Sequence, residues 1–125
     1  MNTKNGGHFR DLKVWQRSID LSVGVYAATR TFPDDERYGL ISQMRRAAAS
    51  IPANVAEGSA RRGQGEFLQF LHVAAGSLAE LETFLELARR LDYCEEEVLT
   101  SLDDLATEVG RMLYGLIAHV KGSRK

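Results

Sequence analysis

Apolar side chains recur every three or four residues along most of the chain, which is the repeat of amphipathic α-helices. This repeat predicts four helices: a first from Phe9 or Asp11 to about Thr31, a second whose apolar residues run from Leu40 to Val55, a third from Glu66 to Leu91, and a last from about Glu95 to Val120. No stretch alternates apolar and polar residues with the period of two that is typical of a half-buried strand. We therefore predict an all-α fold, an antiparallel up-down-up-down four-helix bundle with short loops.

Short polar segments mark the ends of these helices. Residues 32–36, Phe-Pro-Asp-Asp-Glu, should stop the first helix, with Asp34 or Asp35 as the cap of the second. The glycine-rich residues 62–65 and then residues 92–94 should separate the later helices. We expect the bundle to span residues 9–121, between a flexible N-terminal segment (1–8) and a flexible tail (122–125).

Each helix has an apolar stripe that is expected to face the core. The stripes expected for the first and last helices are Leu12, Trp15, Ile19, Val23 and Tyr26, and Val98, Leu102, Leu105, Val109, Met112, Leu116 and Val120. The third helix has a core stripe of Phe67, Phe70, Leu71, Ala74, Leu78, Leu81, Leu85 and Ala88, and a second stripe, about 120° away, of Val73, Phe84, Leu87 and Leu91. This second stripe either packs between two neighbouring helices or is buried against another subunit, and its breadth favours the subunit.

The composition is that of a single soluble domain, since the 125 residues are 44% hydrophobic and 26% charged. The single cysteine, Cys94, cannot form an internal disulfide, and no apolar run is long enough to cross a membrane. We therefore expect a reducing, cytoplasmic location.

Charge is unevenly spread, although the formal net charge is only −1. Residues 37–62 contain five arginines and one acid, Glu57, whereas residues 66–97 contain eight acids and two arginines. The basic segment either pairs with the acidic helix, which is the more common arrangement, or forms a binding face for a polyanion.

The segment at residues 50–62, Ser-Ile-Pro-Ala-Asn-Val-Ala-Glu-Gly-Ser-Ala-Arg-Arg, places a proline inside the second helix. Because proline has no N–H, the carbonyl of Ala48 needs another partner, from Asn54, a neighbouring side chain or water. A polar stripe runs beside the core stripe through Gln43, Arg46, Ser50, Asn54, Glu57 and Arg61. It is either a solvated face or a row of groups that docks a subunit or a polyanion.

This segment closely resembles the signature of the bacterial four-helix bundle family of proteins encoded in intervening sequences of 23S ribosomal RNA genes. Residues 50–62 match the family pattern Ser-Ile-Pro-x-Asn-(Ile/Val)-Ala-Glu-Gly ending in arginine, and residues 76–81 match Gly-Ser-x-x-Glu-(Leu/Thr). Residues 9–15 are similar to the family's opening, aromatic-x-x-Leu-x-(Val/Ala)-Trp. The resemblance covers about residues 9–120.

The resemblance implies the same bundle, assembled into a ring-shaped homopentamer, as in this family and in its relative, the accessory protein of diversity-generating retroelements. That relative uses a basic surface of its ring to hold nucleic acid and a reverse transcriptase.

The two matched elements also favour a polar network at which adjacent helices or subunits meet. Its predicted members are Asn54, Glu57 and Arg61 of the second helix and Ser77 and Glu80 of the third. Glu57 should be charged and bonded to an arginine, and the small residue Gly76 should let the helices approach closely.

Candidate catalytic residues are sparse, and no cofactor or metal is expected. The histidines His8, His72 and His119 lack the Glu-x-x-His spacing of di-iron bundles, and Cys94 has no partner at zinc spacing. No glycine-rich phosphate-binding loop is present. We therefore expect a protein that is not an enzyme.

Two classes of function remain open. Arg45, Arg46, Arg61 and Arg62, repeated around a ring, would form a multivalent basic surface for RNA or DNA. Alternatively, the ring is a protein-binding scaffold whose arginines only pair with the acids of the third helix. We slightly favour nucleic acid, mostly on the resemblance.

Overall fold

The structure is a computed structural model that describes residues 8–123, and none of these residues is in a β-strand. The elements in chain order are a 3-10 helix (His8–Asp11), α1 (Lys13–Thr29), a 3-10 turn (Asp34–Glu36), a π-helical turn (Arg37–Ile41), α2 (Ser42–Ser59), α3 (Gln64–Arg90) and α4 (Glu96–Ser123). The prediction of an all-α chain with four helices is confirmed. Of the segments expected to be flexible, residues 1–7 and 124–125 lie outside the described residues.

The helices form a closed square, because α1 and α3 each pack against both α2 and α4. Neighbouring helices are antiparallel: Ser22 of α1 contacts Ala48 of α2, and four residues further along α1, Tyr26 lies under Arg45. Helices that follow one another in the chain are therefore neighbours in space, and α4 closes the bundle against α1.

Helix α2 comes into close contact with α3 at Gly58, and not at Gly76 as the sequence had suggested. A Cβ placed on Gly58 would lie 2.7 Å from the Cβ of Phe70 and 2.9 Å from Cδ1 of Phe67, closer than real side-chain atoms come. A Cβ on Gly76 would meet nothing within 4 Å, and Gly76 is exposed. Within one chain, therefore, the expectation for Gly76 is wrong, since it lies on the outer face of α3.

The core stripe expected for α1 is wrong, because the helix is rotated so that a different set of residues faces inward. The buried residues of α1 are Val14, Ser18, Leu21, Val25, Ala28 and Thr29. Val23 is 65% exposed and Tyr26 is also exposed, while Leu12, Trp15 and Ile19 are only partly buried. The inward stripe contains small side chains that let the neighbouring helices approach, which the bulkier expected stripe would prevent.

In α4, several of the expected core positions are taken by the residue that directly follows the expected one. Leu102, Val109 and Val120 are buried as expected, but Val98 is exposed and Leu105, Met112 and Leu116 are half-buried beside the core. The core positions are taken instead by Leu99, Ala106, Leu113 and Ile117. In α3 the expected core stripe is buried except for Phe67 and Phe70, which are half-buried.

Glu36, and not Asp34 or Asp35, caps the π-helical turn that leads into α2. The Glu36 carboxylate accepts a hydrogen bond of 3.0 Å from the backbone N–H of Leu40 and one of 2.8 Å from the Tyr93 hydroxyl. These two donors lower the pKa of Glu36 below its ordinary value. The cap therefore also connects the turn before α2 to the loop between α3 and α4.

Helix α3 ends in a paired-bond C-terminal motif that directs the chain into α4. The N–H of Tyr93 donates to the carbonyl of Ala88, and the N–H of Asp92 donates to that of Arg89. Asp92 has a φ of 60°, the left-handed conformation that this motif requires and that glycine usually supplies. Tyr93 then packs on Phe32, with 5.3 Å between the ring centroids.

Pro52 lies inside α2 and is buried, and its cost to the helix is partly offset by α1. The Ala48 carbonyl, which lacks the usual N–H four residues on, accepts a hydrogen bond of 3.0 Å from the Ser22 hydroxyl. The partner is thus a side chain of a neighbouring helix, and Asn54 instead donates to Ser50. The same Ser22 hydroxyl is 2.9 Å from the Ser18 carbonyl, so two acceptors share one proton.

Candidate nucleic-acid interface

A groove of about 670 Å³ follows the first half of α2, between α1 and the π-helical turn. Its lining residues are Tyr26, Arg37, Tyr38, Ile41, Ser42, Arg45, Arg46, Ala49, Ser50 and Ala53. Among the described residues, this lining contains three arginines, two tyrosines and no acid. Of the four predicted arginines, Arg45 and Arg46 are therefore together in one basic groove.

Arg45 is held in place at the wall of this groove. Its guanidinium donates to the Thr29 hydroxyl at 2.9 Å and to the Tyr26 carbonyl at 3.4 Å. The guanidinium carbon also lies 4.7 Å from the centre of the Tyr26 ring, within cation–π range. These contacts orient the charge without neutralising it, because none of the partners is a carboxylate.

Arg37, Tyr38 and Arg46 extend the groove toward solvent. Both arginines are exposed, and neither forms an ion pair or side-chain hydrogen bond with another residue of the described chain. Tyr38 is 89% exposed, the most exposed large apolar side chain among the described residues. Sequence reasoning had noted Arg37 only as a charge and had missed both tyrosines. The available signal was Tyr38 next to Arg37 at the start of the arginine-rich segment.

Arg61 and Arg62 lie beyond the other end of α2, roughly 24 Å from Arg45 and Arg46 at 1.5 Å per residue. Arg61 forms a 2.6 Å ion pair with Glu57 and lies 5.0 Å from the centre of the Phe70 ring. Arg62 is exposed. The structure therefore separates the four predicted arginines into two pairs, and Glu57 offsets the charge of Arg61.

The alternative that the basic segment pairs with the acids of α3 does not hold within one chain. Among the described residues, none of the five arginines of residues 37–62 forms an ion pair with an acid of α3. Arg89 bonds instead to Glu86, Glu96 and Asp103, and Arg90 bonds to Glu86, which lowers the pKa of Glu86. The arginines of the groove thus remain available.

The structure joins only part of the predicted polar network. Ser50 links Asn54 to Ser77, because its hydroxyl is 2.8 Å from that of Ser77 and accepts a 2.9 Å hydrogen bond from the Asn54 amide. Glu57 and Arg61 form a separate pair at the surface. Glu80 is exposed and forms no hydrogen bond or ion pair with another described residue.

Helix α3 exposes most of its second apolar stripe. Val73 is 52% exposed and Leu87 and Leu91 are also exposed, whereas Phe84 is half-buried. This stripe therefore does not pack between neighbouring helices of the same chain. It forms an apolar surface on the outside of the bundle.

The remaining reactive side chains form no recognisable centre. No cluster of three or more His, Cys, Asp or Glu residues within residues 8–123 is arranged to hold a metal ion. Cys94 is half-buried, and burial raises the pKa of its thiol, so the reactive thiolate is disfavoured. None of the described helices combines the length and apolar character needed to span a bilayer.

These features define a closed antiparallel four-helix bundle with an arginine- and tyrosine-lined groove along its second helix. The family model of the 23S rRNA-intervening sequence proteins matches residues 10–115, and the chain belongs to this family. No functionally curated protein matches the chain in sequence.

A solved structure with the same fold is that of a protein of unknown function from the S23 ribosomal protein family of Bacteroides thetaiotaomicron. The two structures superpose with a TM-score of 0.78 at 24% sequence identity, over 84% of this chain and 95% of the other. The likeness supports the bundle fold.

Proposed function

We propose that this protein is a non-enzymatic assembly protein that binds RNA or DNA through the groove on α2. The observation that carries the proposal is that the described lining holds Arg37, Arg45 and Arg46 and no acid. Unpaired arginines attract phosphates, and their binding releases counterions from the nucleic acid. The exposed Tyr38 ring adds a surface on which an unpaired base can stack.

The test is fluorescence anisotropy with a labelled single-stranded oligonucleotide, measured over a range of salt concentrations. The variant Arg37→Ala/Arg46→Ala removes two charges that pair with no other side chain of the described chain. For every phosphate that the variant no longer binds, the slope of log K against log salt should become shallower by about 0.7. The matched control is Arg111→Ala/Lys121→Ala on α4, at the corner of the bundle diagonal to α2.

The proposal requires weaker binding in the groove variant and unchanged binding in the control. Equally weakened binding in both variants would mean that net charge alone attracts the oligonucleotide. Binding that is absent in low salt would refute the nucleic-acid role.

Assembly is the second part of the proposal. The second stripe of α3 (Val73, Phe84, Leu87 and Leu91) buries against another subunit, and we propose a ring-shaped homopentamer. An exposed stripe of this kind is unfavourable in water, since each Å² of apolar surface costs about 25 cal/mol.

Native mass spectrometry in low salt measures both the subunit number and any retained nucleic acid. Leu87→Gln/Leu91→Gln should give monomers, whereas Tyr114→Gln on α4, also exposed, should not.

The second candidate function is a protein-binding scaffold. It is favoured by the apolar surface that α1 exposes in addition to that of α3, through Val23 and Tyr26. A ring that purifies without nucleic acid, and shows no salt-dependent affinity for it, would favour the scaffold.

A further inference from the structure

We infer that α3 of one subunit packs antiparallel along the exposed face of α1 of the next subunit, with Glu80 and Arg30 forming an ion pair between them. The inference rests on the proposed assembly and adds to it the receiving surface, the register and the direction of the contact. It comes from two apolar stripes that the folded chain leaves largely exposed.

The first of these stripes is on α1. Ile19, Val23, Tyr26 and Arg30 follow one another at spacings of four, three and four residues, so they share one face of the helix. Val23, Tyr26 and Arg30 are exposed, and Ile19 is half-buried. The side chain of Arg30 bonds to no other described residue. Its apolar members Ile19, Val23 and Tyr26 belong to the stripe that the apolar pattern had assigned to the core.

The other stripe is on α3, and it consists of Glu80 and three apolar residues that follow it. Glu80, Phe84, Leu87 and Leu91 also follow one another at spacings of four, three and four residues. Glu80 lies at one end, exposed and without a partner among the described residues, and the apolar side chains follow it. The two stripes therefore have the same length, the same spacing and one charge each, of opposite sign.

Only an antiparallel arrangement matches both the spacing and the charges. It places Glu80 opposite Arg30, Phe84 opposite Tyr26, Leu87 opposite Val23, and Leu91 opposite Ile19. Spacings of three and four residues on both helices are those of the seam between two packed helices. In a parallel arrangement Glu80 would face the apolar Ile19, and Arg30 would face Leu91.

The charges also argue against a symmetric contact of α3 with itself. The stripe of α3 contains Glu80 and no cation, so a two-fold contact would bury the carboxylate without a partner. Leaving one member of a charge pair buried and unpaired is strongly unfavourable at protein interfaces. A contact between α3 of one subunit and α1 of the next places Arg30 opposite Glu80 and buries both stripes at once.

Contacts between different faces repeat head to tail, so they produce either a ring or a filament. With about 100° per residue, both stripes are displaced from the outward direction of their helix toward α2, by about 40° on α1 and 50° on α3. The two contact faces are therefore inclined toward each other on the α2 side. This inclination favours a small closed ring with α2 on its inner side.

The first test is a charge reversal with rescue. Glu80→Arg and Arg30→Glu should each weaken assembly at least about tenfold, and the double variant Glu80→Arg/Arg30→Glu should restore it. Sedimentation velocity over a range of protein concentrations gives the dissociation constants, and circular dichroism verifies that each variant is folded. Arg111→Glu on α4 is the control, with no expected effect.

The second test addresses the register. In a Cys94→Ser background, Val23→Cys/Leu87→Cys should form disulfides between subunits when oxidised glutathione is added. Val23→Cys/Val73→Cys should not, because Val73 lies about 21 Å from Leu87 along α3. Equal cross-linking in both variants would contradict the register.

The outcomes separate this inference from the proposed assembly. A wild-type monomer would refute both. A wild-type oligomer that neither Arg30→Glu nor Glu80→Arg weakens would refute the α1 contact alone, and α3 would then dock on another surface.

Discussion

Gly58 shows how one residue without a side chain sets the distance between two helices. The nearest atom to a Cβ at this position would be the Cβ of Phe70, which cannot rotate away. Gly58→Ala should therefore force α2 and α3 apart and lower the free energy of unfolding by about 1–3 kcal/mol. Urea denaturation measures the change.

Gly76→Ala is the matched glycine-to-alanine substitution on the outer face of α3. Nothing lies within 4 Å of a Cβ there, so alanine should raise helix stability by about 0.5–1 kcal/mol. If Gly58→Ala were as benign as Gly76→Ala, the close contact described for Gly58 would be wrong.

At the scale of the element, α2 tolerates Pro52 because α1 supplies a hydroxyl. Ser22→Ala should cost about 1 kcal/mol of unfolding free energy, since the Ala48 carbonyl would lose its donor. In a Pro52→Ala background the backbone N–H of residue 52 can bond to Ala48, so the same substitution should cost less. The double-mutant cycle measures this coupling by chemical denaturation. Equal costs in both backgrounds would contradict it.

The start of α2 makes stability depend on pH through Glu36. The pKa of Glu36 is lowered by the Leu40 N–H and then by the Tyr93 hydroxyl, so the ionised carboxylate binds these donors best. A lowered pKa means that this contribution is present above the unfolded value of 4.5 and is lost as the pH falls through the folded value. The urea midpoint should fall on acidification below that value.

Glu36→Gln is the control for this titration. It should be less stable than the wild type at neutral pH, and it should lose less stability on acidification. The pKa values of Glu86 and Glu108 are also lowered, by arginine partners, so the variant should keep part of the pH dependence. A variant with the full wild-type loss would show that Glu36 makes no such contribution.

The elements also show where sequence reasoning reached its limit. The number and approximate ends of the helices followed from apolar spacing, but α1 has two apolar stripes and spacing alone cannot choose between them. The core took the stripe with Ala28 and Ser18, because small side chains permit close packing with two neighbours. The stripe with Val23 and Tyr26 was assigned inward from its regular spacing of three and four residues, and it proved to be the outer one.

The candidate site was predictable only where it follows one helix. Arg45 and Arg46 could be named from the charge pattern, since they are adjacent on α2. Tyr26 comes from another helix, and Tyr38 comes from a π-helical turn that apolar spacing does not reveal. The place of these tyrosines in the groove depends on tertiary structure.

At the scale of the whole molecule, the square arrangement puts α2 between the two helices that carry the exposed stripes. A subunit that docks through α1 on one side and α3 on the other leaves uncovered the face of α2 that points away from its own bundle. The groove with Arg37, Arg45 and Arg46 would then recur once per subunit around a common axis. Although each subunit is nearly neutral, the assembled ring would therefore present a concentrated positive surface on the side where the α2 helices lie.

The separation of the two arginine pairs along α2 sets a length scale for a ligand. A stacked strand advances about 3.4 Å per nucleotide, so the distance of roughly 24 Å from Arg45 to Arg61 corresponds to about seven nucleotides. Oligonucleotides shorter than this can contact only one pair of arginines in a subunit. Affinity measured against oligonucleotide length should therefore rise steeply near about seven nucleotides, and this step should disappear in Arg61→Ala/Arg62→Ala. The length of α2 would thus act as a ruler for the shortest strand that the protein retains.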